Sequence, residues 1–88
     1  MRNIWKYWLS IEDYQIIEMP QDSKLLHVDE QEGKLCLWAL VNPYAPKSRR
    51  SILVFGTGYV IDDSEDNFVG TTVMSDGFVW HVFDGGQV

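Results

Sequence analysis

The chain of 88 residues contains one cysteine, three prolines and two histidines, and it has no long run of apolar residues. A single cysteine, Cys36, excludes an internal disulfide and a zinc site built from several cysteines. No segment approaches the roughly 18 apolar residues of a membrane-spanning helix, and residues 1–8 lack the apolar region of a signal peptide. These absences predict a cytoplasmic protein that does not interact with a membrane.

Basic residues are scarce, because seven Lys and Arg stand against 13 Asp and Glu, for a formal net charge of −6. This composition argues against binding to duplex nucleic acid, which depends on many basic contacts to phosphate. Three of the seven nevertheless cluster at Lys47, Arg49 and Arg50, shortly after Tyr44. We predict a loop at 42–50 whose arginine forks bind a small anionic nucleotide or an acidic protein surface. The alternative is a solvated loop that discourages edge pairing.

The length allows one domain, since single domains typically have about 50 to 250 residues, and 1–88 is predicted as a single all-β domain. Short runs rich in β-branched and aromatic residues alternate with turn residues, and no window shows convincing helical periodicity. We expect a compact antiparallel barrel or sandwich of about six to seven short strands. The predicted strands are 3–9, 14–19, 24–29, 34–41, 51–60, 67–74 and 78–83.

The last hairpin has the clearest turn signal, because Asp76-Gly77 between two apolar runs favours a two-residue type I′ turn. This turn would place Thr72 opposite His81. It would also gather a second apolar face, which another sheet or another copy of the chain should cover, so we expect a homo-oligomer. The predicted members of that face are Phe68, Met74, Val79, His81 and Phe83.

Three other glycine-rich or acidic segments predict turns. Gly33 supplies the left-handed residue of a bulged hairpin between the third and fourth strands. Gly56-Thr57-Gly58 lacks the third glycine and the helix of a phosphate-binding loop, so it predicts a bulge or a kink at a barrel corner. The acidic segment 62–67 has oxygen ligands but not the glycine and glutamate spacing of a calcium loop, and it predicts a solvated turn.

Catalytic residues are not evident, and we expect no enzyme activity, no cofactor and no metal. His27 and His81 lack a third ligand at a suggestive spacing, and Cys36 lies in an apolar strand without an adjacent base. The aromatic content of 14% is high, so some rings should lie at a surface. Trp5 and Trp8 fall on opposite faces of the first strand, and a surface tryptophan anchors a protein partner or stacks on a base.

Five phrases spread over almost the whole chain carry a resemblance: Ile4–Tyr7, Ile17–Pro20, Cys36–Val41, Gly56–Gly58 and His81–Phe83. As a set they resemble a family of short uncharacterised all-β proteins encoded by bacteriophages and prophages. The resemblance implies a protein made in the host bacterial cytoplasm. It would antagonise a host function, above all a defence system, by sequestering a nucleotide signal or by blocking a host protein. The alternative is a structural virion or assembly module that packs by self-association.

These considerations give one set of candidate binding residues for a host protein or a small anionic nucleotide. The set combines the basic segment with its neighbouring tyrosine, the two tryptophans of the first strand, and the histidine of the last hairpin. Its members are Tyr44, Lys47, Arg49, Arg50, Trp5, Trp8 and His81.

Overall fold

The computed structural model describes residues 1–62 and 67–88, and these form seven strands and no helix. Accordingly, no described helix is long and apolar enough to cross a membrane. Four of the residues in the predicted acidic turn, 63–66, lie outside the described part of the chain. The strands are β1 Asn3–Leu9, β2 Tyr14–Pro20, β3 Lys24–Gln31, β4 Lys34–Val41, β5 Lys47–Gly56, β6 Phe68–Val73 and β7 Val79–Gln87.

The strands form two antiparallel sheets, one of three strands in the order β1-β4-β3 and one of four in the order β2-β5-β7-β6. The all-β prediction is confirmed, and of the two architectures expected the protein adopts the sandwich. The strands richest in apolar residues on both sides, β4 and β5, are interior strands, as fully covered strands should be. The shortest dimension of the molecule, 15 Å, fits two layers about 10 Å apart.

The two sheets are joined where β3 meets β6. Gly70 permits this approach, since a Cβ at that position would lie 2.9 Å from Cγ2 of Val28. Nearby, the carboxylate of Glu30 in β3 accepts hydrogen bonds of 2.9 Å from the backbone N–H and the hydroxyl of Ser75. The core enclosed between the sheets consists of Leu9, Met19, Val28, Leu35, Leu37, Ile52, Val54, Met74 and Val82.

The largest error in the predicted boundaries concerns β5. The predicted strand 51–60 begins four residues too late, because residues 47–50 belong to the strand and pair with residues 17–20 of β2. The loop predicted at 42–50 therefore shrinks to a turn at 42–46. The strand ends at Gly56, where Tyr59 N–H donates to the Gly56 carbonyl at 3.2 Å and Gly58 has a φ of 89°. The predicted kink at Gly56-Thr57-Gly58 is thus a turn that ends the strand.

The turn types of two hairpins are the reverse of those predicted: the β3–β4 hairpin has the type I′ turn, and the β6–β7 hairpin has the longer loop. The turn between β3 and β4 has only Glu32 and Gly33 between the paired residues Gln31 and Lys34, and φ is 54° and 78° at the two positions. Positive φ at both central residues defines the type I′ turn. The predicted bulged hairpin at this position is therefore wrong, although Gly33 is left-handed as expected.

The hairpin between β6 and β7 has a three-residue loop instead of the predicted type I′ turn. Gly77 N–H donates to the Met74 carbonyl at 2.9 Å, Met74 N–H donates to the Phe78 carbonyl at 2.8 Å, and only Gly77 has positive φ in the loop. The extra loop residue shifts the register by one, so His81 faces Thr71 instead of Thr72. Met74 consequently lies in the core, with 8% of its surface exposed, and not on the predicted second face.

Candidate functional site

The outer face of the three-stranded sheet brings together lysines and aromatic side chains from all three strands. Because side chains alternate along a strand, β1 directs Lys6 and Trp8 outward while Tyr7 and Leu9 pack on the core. The central strand β4 pairs with both neighbours and aligns their outward residues in rows. We call this surface the lysine–tryptophan face, and its members are Lys6, Trp8, Lys24, His27, Lys34 and Trp38.

The register defines how cations and rings alternate on this face. Trp38 in β4 is opposite Lys6 on one side and opposite His27 on the other. The ring centroids of His27 and Trp38 are 6.1 Å apart and their planes are tilted by 38°. The ammonium nitrogen of Lys34 lies 3.6 Å from the centroid of the Trp8 ring, a cation–π contact. Each tryptophan therefore has a lysine as a near neighbour.

The lysine–tryptophan face concentrates positive charge in a protein of net charge −6. Lys6, Lys24 and Lys34 are all exposed. Among the described residues at the outward positions of β1, β3 and β4, Asp29 is the one acid, and it lies 3.9 Å from the Nε2 atom of His27. Three of the seven basic residues thus lie on one sheet face, with Lys34 at the start of β4 and Lys24 opposite Leu40 near its end, and this excess of positive charge attracts anions.

A cleft of about 700 Å³ opens beside the pair formed by Trp8 and Lys34. Its wall comes from β1, from the segment 10–12, from β2 and from the turn between β3 and β4. The side chain of Gln15 is buried there, held by hydrogen bonds to the Ser10 N–H and carbonyl at 3.0 and 2.8 Å. The cleft extends the lysine–tryptophan face into a concave space large enough for a small ligand.

The central thiol of the face is not available for chemistry. Cys36 occupies an outward position opposite Trp8 and Asp29, yet it is fully buried. This burial confirms the prediction that Cys36 is a packed residue. The described part of the chain also contains no group of three or more His, Cys, Asp or Glu residues placed to hold a metal ion.

The predicted basic loop is not the surface that the sequence indicated. Arg50 is 7% exposed, and both terminal nitrogens of its guanidinium have partners inside the protein. Nη1 lies 2.9 Å from Oδ2 of Asp84, and Nη2 donates to the Ser23 carbonyl at 2.6 Å. The prediction that Arg50 lies on an exposed loop tip is wrong. Arg50 lies on the same face of β5 as the buried Ile52 and Val54, so its side chain points inward, where the carboxylate of Asp84 neutralises it.

The other residues of that segment remain at the surface, at separate places on a strand and a turn. Lys47 and Arg49 are exposed on β5, and Arg49 lies opposite Glu18 of β2. Tyr44 is 79% exposed in the turn, where its N–H donates to Oδ1 of Asn42 at 3.0 Å. Their role in binding stays a prediction, and the fold separates them from Arg50.

The two tryptophans of β1 lie on opposite faces of this edge strand, one exposed and one half-buried. β1 is at the edge of its sheet, Trp8 is 59% exposed, and Trp5 is half-buried on the inward side. The prediction that one of the two lies near the surface is confirmed. Trp8 is the member of the predicted set that the structure places on the lysine–tryptophan face.

His81 lies on the outer face of the four-stranded sheet and has both ring nitrogens occupied. Nε2 is 2.8 Å from the Thr57 hydroxyl and Nδ1 is 2.9 Å from the Thr71 hydroxyl. Around it, Phe83 packs against Phe68 and Phe55, with ring centroids 5.4 and 5.9 Å apart. Four of the five residues predicted for the second apolar face therefore do share a face, and in the described chain no other sheet covers it.

The sequence analysis missed Lys24, Lys34 and Trp38 as site residues. A signal was present, since Lys6 and Trp8 are two positions apart in the first strand and Lys34 and Trp38 are four apart in the fourth. Such even spacings place the members of each pair on the same face of their strand. The sequence did not show that β1 and β3 pair on either side of β4. This strand order brings the lysines and tryptophans of β1 and β4 next to each other.

The fold and this surface define a small antiparallel β-sandwich with cations and indoles combined on one sheet face. The chain belongs to the family described as a domain of unknown function, DUF7352, whose model matches residues 1–87. No curated protein and no solved structure matches the chain.

Proposed function

We propose that the protein is a non-enzymatic binding protein that holds a nucleotide or a short single-stranded nucleic acid on the lysine–tryptophan face. One observation carries the proposal. The ammonium of Lys34 lies 3.6 Å from the ring centroid of Trp8, so this stacking surface has its own cation. Lys6, opposite Trp38 in the register, adds a second cation, and its ammonium donates to Oε1 of Gln31. A nucleotide carries the complementary pair, a flat base joined to an anionic phosphate.

The energetics favour a single strand or a free nucleotide over a duplex. Stacking of a base on an aromatic side chain contributes about 1 to 3 kcal/mol, and it needs a base whose face is exposed. Three lysines supply few phosphate contacts, whereas duplex binders use many. A base that stacks on Trp8 displaces the Lys34 ammonium from the ring, which leaves that ammonium free to pair with the attached phosphate.

This activity suits the biological role that the resemblance to phage proteins implies. A phage-encoded protein that sequesters a host nucleotide signal needs affinity and no catalysis, so a binding face is sufficient. Antagonism of a host defence system is therefore part of the proposal. Blocking of a host protein and a structural role in the virion are the competing functions, and neither requires nucleotide affinity.

The test uses two probe sets and a charge-matched control. Cyclic dinucleotides and ADP-ribose are screened by thermal shift, and a fluorescent oligomer of about eight deoxythymidylates is titrated by anisotropy. The variant Lys6→Gln/Lys34→Gln removes two charges from the face. The control Lys47→Gln/Arg49→Gln removes two charges from exposed positions of β5. We expect the first variant to lose at least about tenfold in affinity and the control to stay within about twofold.

The outcomes separate the alternatives. Binding of the cyclic dinucleotide or ADP-ribose alone identifies a free nucleotide as the ligand, and binding of the oligomer alone identifies a single strand. An equal loss of affinity in both variants would show that binding depends on general charge. A loss of affinity in the control alone would place the binding site on the basic segment of β5. If no probe binds below about 100 μM, the proposal fails.

A further inference from the structure

Another cleft lies at the end of the four-stranded sheet and shares no lining residue with the lysine–tryptophan face. It encloses about 320 Å³, and three aromatic side chains, Tyr59, Phe78 and Trp80, contribute to its wall. The rest of the lining is Thr57, Val79 and two glycines. The cleft is therefore small, mostly apolar and rich in π faces.

The chain builds this wall with a dedicated turn. Gly56 ends β5, and Tyr59 N–H closes the turn on its carbonyl. A Cβ at Gly56 would lie 2.8 Å from Cε1 of Tyr59, so the ring packs over a position that only glycine leaves open. Tyr59 nevertheless keeps 48% of its surface exposed, which leaves part of the ring available to a ligand.

Phe78 and Trp80 complete the aromatic lining. Phe78 and Trp80 project from the same side of the chain, with ring centroids 6.0 Å apart and planes tilted by 23°. The carboxylate of Asp76, in the hairpin loop, accepts the Phe78 backbone N–H at 3.0 Å, which fixes a negative charge at the residue that carries this ring. The cleft thus combines ring faces in its lining with a carboxylate in the adjoining hairpin loop.

We propose that this aromatic cleft binds an alkylammonium cation, a quaternary or methylated amine such as choline or a trimethylated lysine side chain. The negative faces of aromatic rings attract a cation whose charge is spread over methyl groups. None of the lining residues is basic. Asp76 and the net charge of −6 both favour a positive ligand over an anionic one. The volume lies at the lower end of the range of small-molecule sites and is sufficient for a compact headgroup.

The decisive experiment compares choline with 3,3-dimethylbutan-1-ol, its neutral isostere with carbon in place of nitrogen. Both are titrated against the whole protein, and binding is followed by the NMR signals of the Trp80 indole N–H and the Phe78 ring. The shapes are nearly the same, so only the charge differs. We expect choline to bind at least about tenfold more tightly, because the cation–π attraction is lost in the neutral compound. Equal affinities would overturn the proposal and leave an ordinary apolar cleft.

Variants locate the site. Tyr59→Leu and Phe78→Leu keep apolar bulk and remove one ring each, and each should weaken choline binding at least about fivefold. Tyr14→Leu is the control, since Tyr14 is similarly exposed, at 57%, on another part of the surface. Asp76→Asn keeps the acceptor for the Phe78 N–H and removes the charge, and it should weaken binding about two- to threefold. Choline affinity that survives both ring removals would refute the assignment.

This proposal is independent of nucleotide binding. The variant Lys6→Gln/Lys34→Gln should bind choline as the unaltered protein does, and Tyr59→Leu should bind the oligodeoxythymidylate as the unaltered protein does. Loss of choline binding in the lysine variant would contradict the separation of the two sites.

Discussion

Arg50 and Asp84 form an internal ion pair, with Nη1 and Oδ2 2.9 Å apart across 34 positions of sequence. Through its second terminal nitrogen Arg50 also holds the carbonyl of Ser23 at 2.6 Å, so one guanidinium ties β5, β7 and the turn that precedes β3. Asp84 in turn accepts the Gly86 N–H at 2.8 Å. Arg50, which the sequence analysis predicted to bind a ligand, thus connects three parts of the fold.

Removal of either partner should destabilise the protein, with Asp84→Asn the more costly. That change leaves a guanidinium that is 92% buried without a counter-charge, and we expect a loss of about 3 kcal/mol in the free energy of unfolding. Arg50→Met leaves Asp84 partly exposed and should cost less, about 2 kcal/mol. Arg49→Met is the matched control and should change stability by no more than about 0.5 kcal/mol. Urea unfolding measures all three, and equal stability of the Arg49 and Arg50 variants would contradict a supporting role for the pair.

Tyr7→Phe should stabilise the protein at neutral pH. The Tyr7 hydroxyl is buried without a hydrogen-bond partner, so its removal should raise the free energy of unfolding by about 0.5 to 1 kcal/mol. Burial also raises the pKa of the Tyr7 phenol above its ordinary value of 10.0. The folded chain then keeps a proton that the unfolded chain releases, so the stability of the native protein falls as pH rises above 10.

Thermal unfolding between pH 7 and pH 11 tests this prediction, with Tyr14→Phe as the exposed control. The Tyr7 variant should lose less stability over the alkaline range than the control does. A decrease of more than about 1 kcal/mol in Tyr7→Phe at pH 7 would show that the hydroxyl makes a favourable interaction after all.

Glu32→Asn should stabilise the hairpin between β3 and β4. Glu32 adopts a φ of 54°, a conformation that asparagine tolerates far better than glutamate does, and the change creates the Asn-Gly pair preferred in type I′ turns. We expect a gain of about 0.5 to 1 kcal/mol by urea unfolding. Glu32→Gln removes the same charge at the same position without creating the Asn-Gly pair, and it controls for the loss of charge. A result in which both changes are equal would attribute the gain to charge alone.

Nucleotide binding should depend on salt in proportion to the lysines of the face. With three phosphate contacts on a single strand, the logarithm of the association constant should fall with the logarithm of sodium chloride concentration at a slope of about −2. The variant Lys6→Gln/Lys34→Gln should reduce the slope to about −0.7, because one phosphate contact remains. A slope that stays the same in the variant would place the phosphates elsewhere on the protein.

Self-association is expected through the outer face of the four-stranded sheet. Phe68 and Val73 are 56% and 69% exposed there, beside the ring cluster around Phe83. Light scattering should give a mass of about twice the 10.2 kDa of the chain, since a two-fold pair is the commonest oligomer. Phe68→Lys/Val73→Lys should return the mass to that of one chain without unfolding it. A monomer across a broad concentration range would contradict the expectation.

The sequence predicted the elements better than the relations between them. The bounds of β1 and β4 agree with the prediction because their apolar and aromatic runs end at clear turn residues. β5 was misplaced because its first four residues, 47–50, are polar, and polar residues between prolines and an apolar run resemble a loop. Their strand conformation comes from pairing with β2, and the burial of Arg50 comes from Asp84 in β7, which no local window contains.

The candidate face shows the same division. The alternation of Lys6 with Trp8 was visible in the sequence, and the exposure of Trp8 followed from an edge position. The neighbours that make the face cationic and aromatic come from strands about 20 and 30 residues further along the chain. Their side-by-side placement depends on strand order, which is decided by packing of the whole core and not by local pattern.

In the part of the chain that the structure describes, the two sheets approach each other closely where Gly70 of β6 meets Val28 of β3. On the other side, β1 and β2 are terminal strands, and in the described chain neither has a second strand partner. Each presents a row of free amides and carbonyls that could template the growth of filaments. Lys6 in β1 and Glu18 in β2 place a charge midway along these rows. The same lysine proposed to attract phosphate would thus also keep one molecule from polymerising with the next, and an apolar replacement there would show first as aggregation.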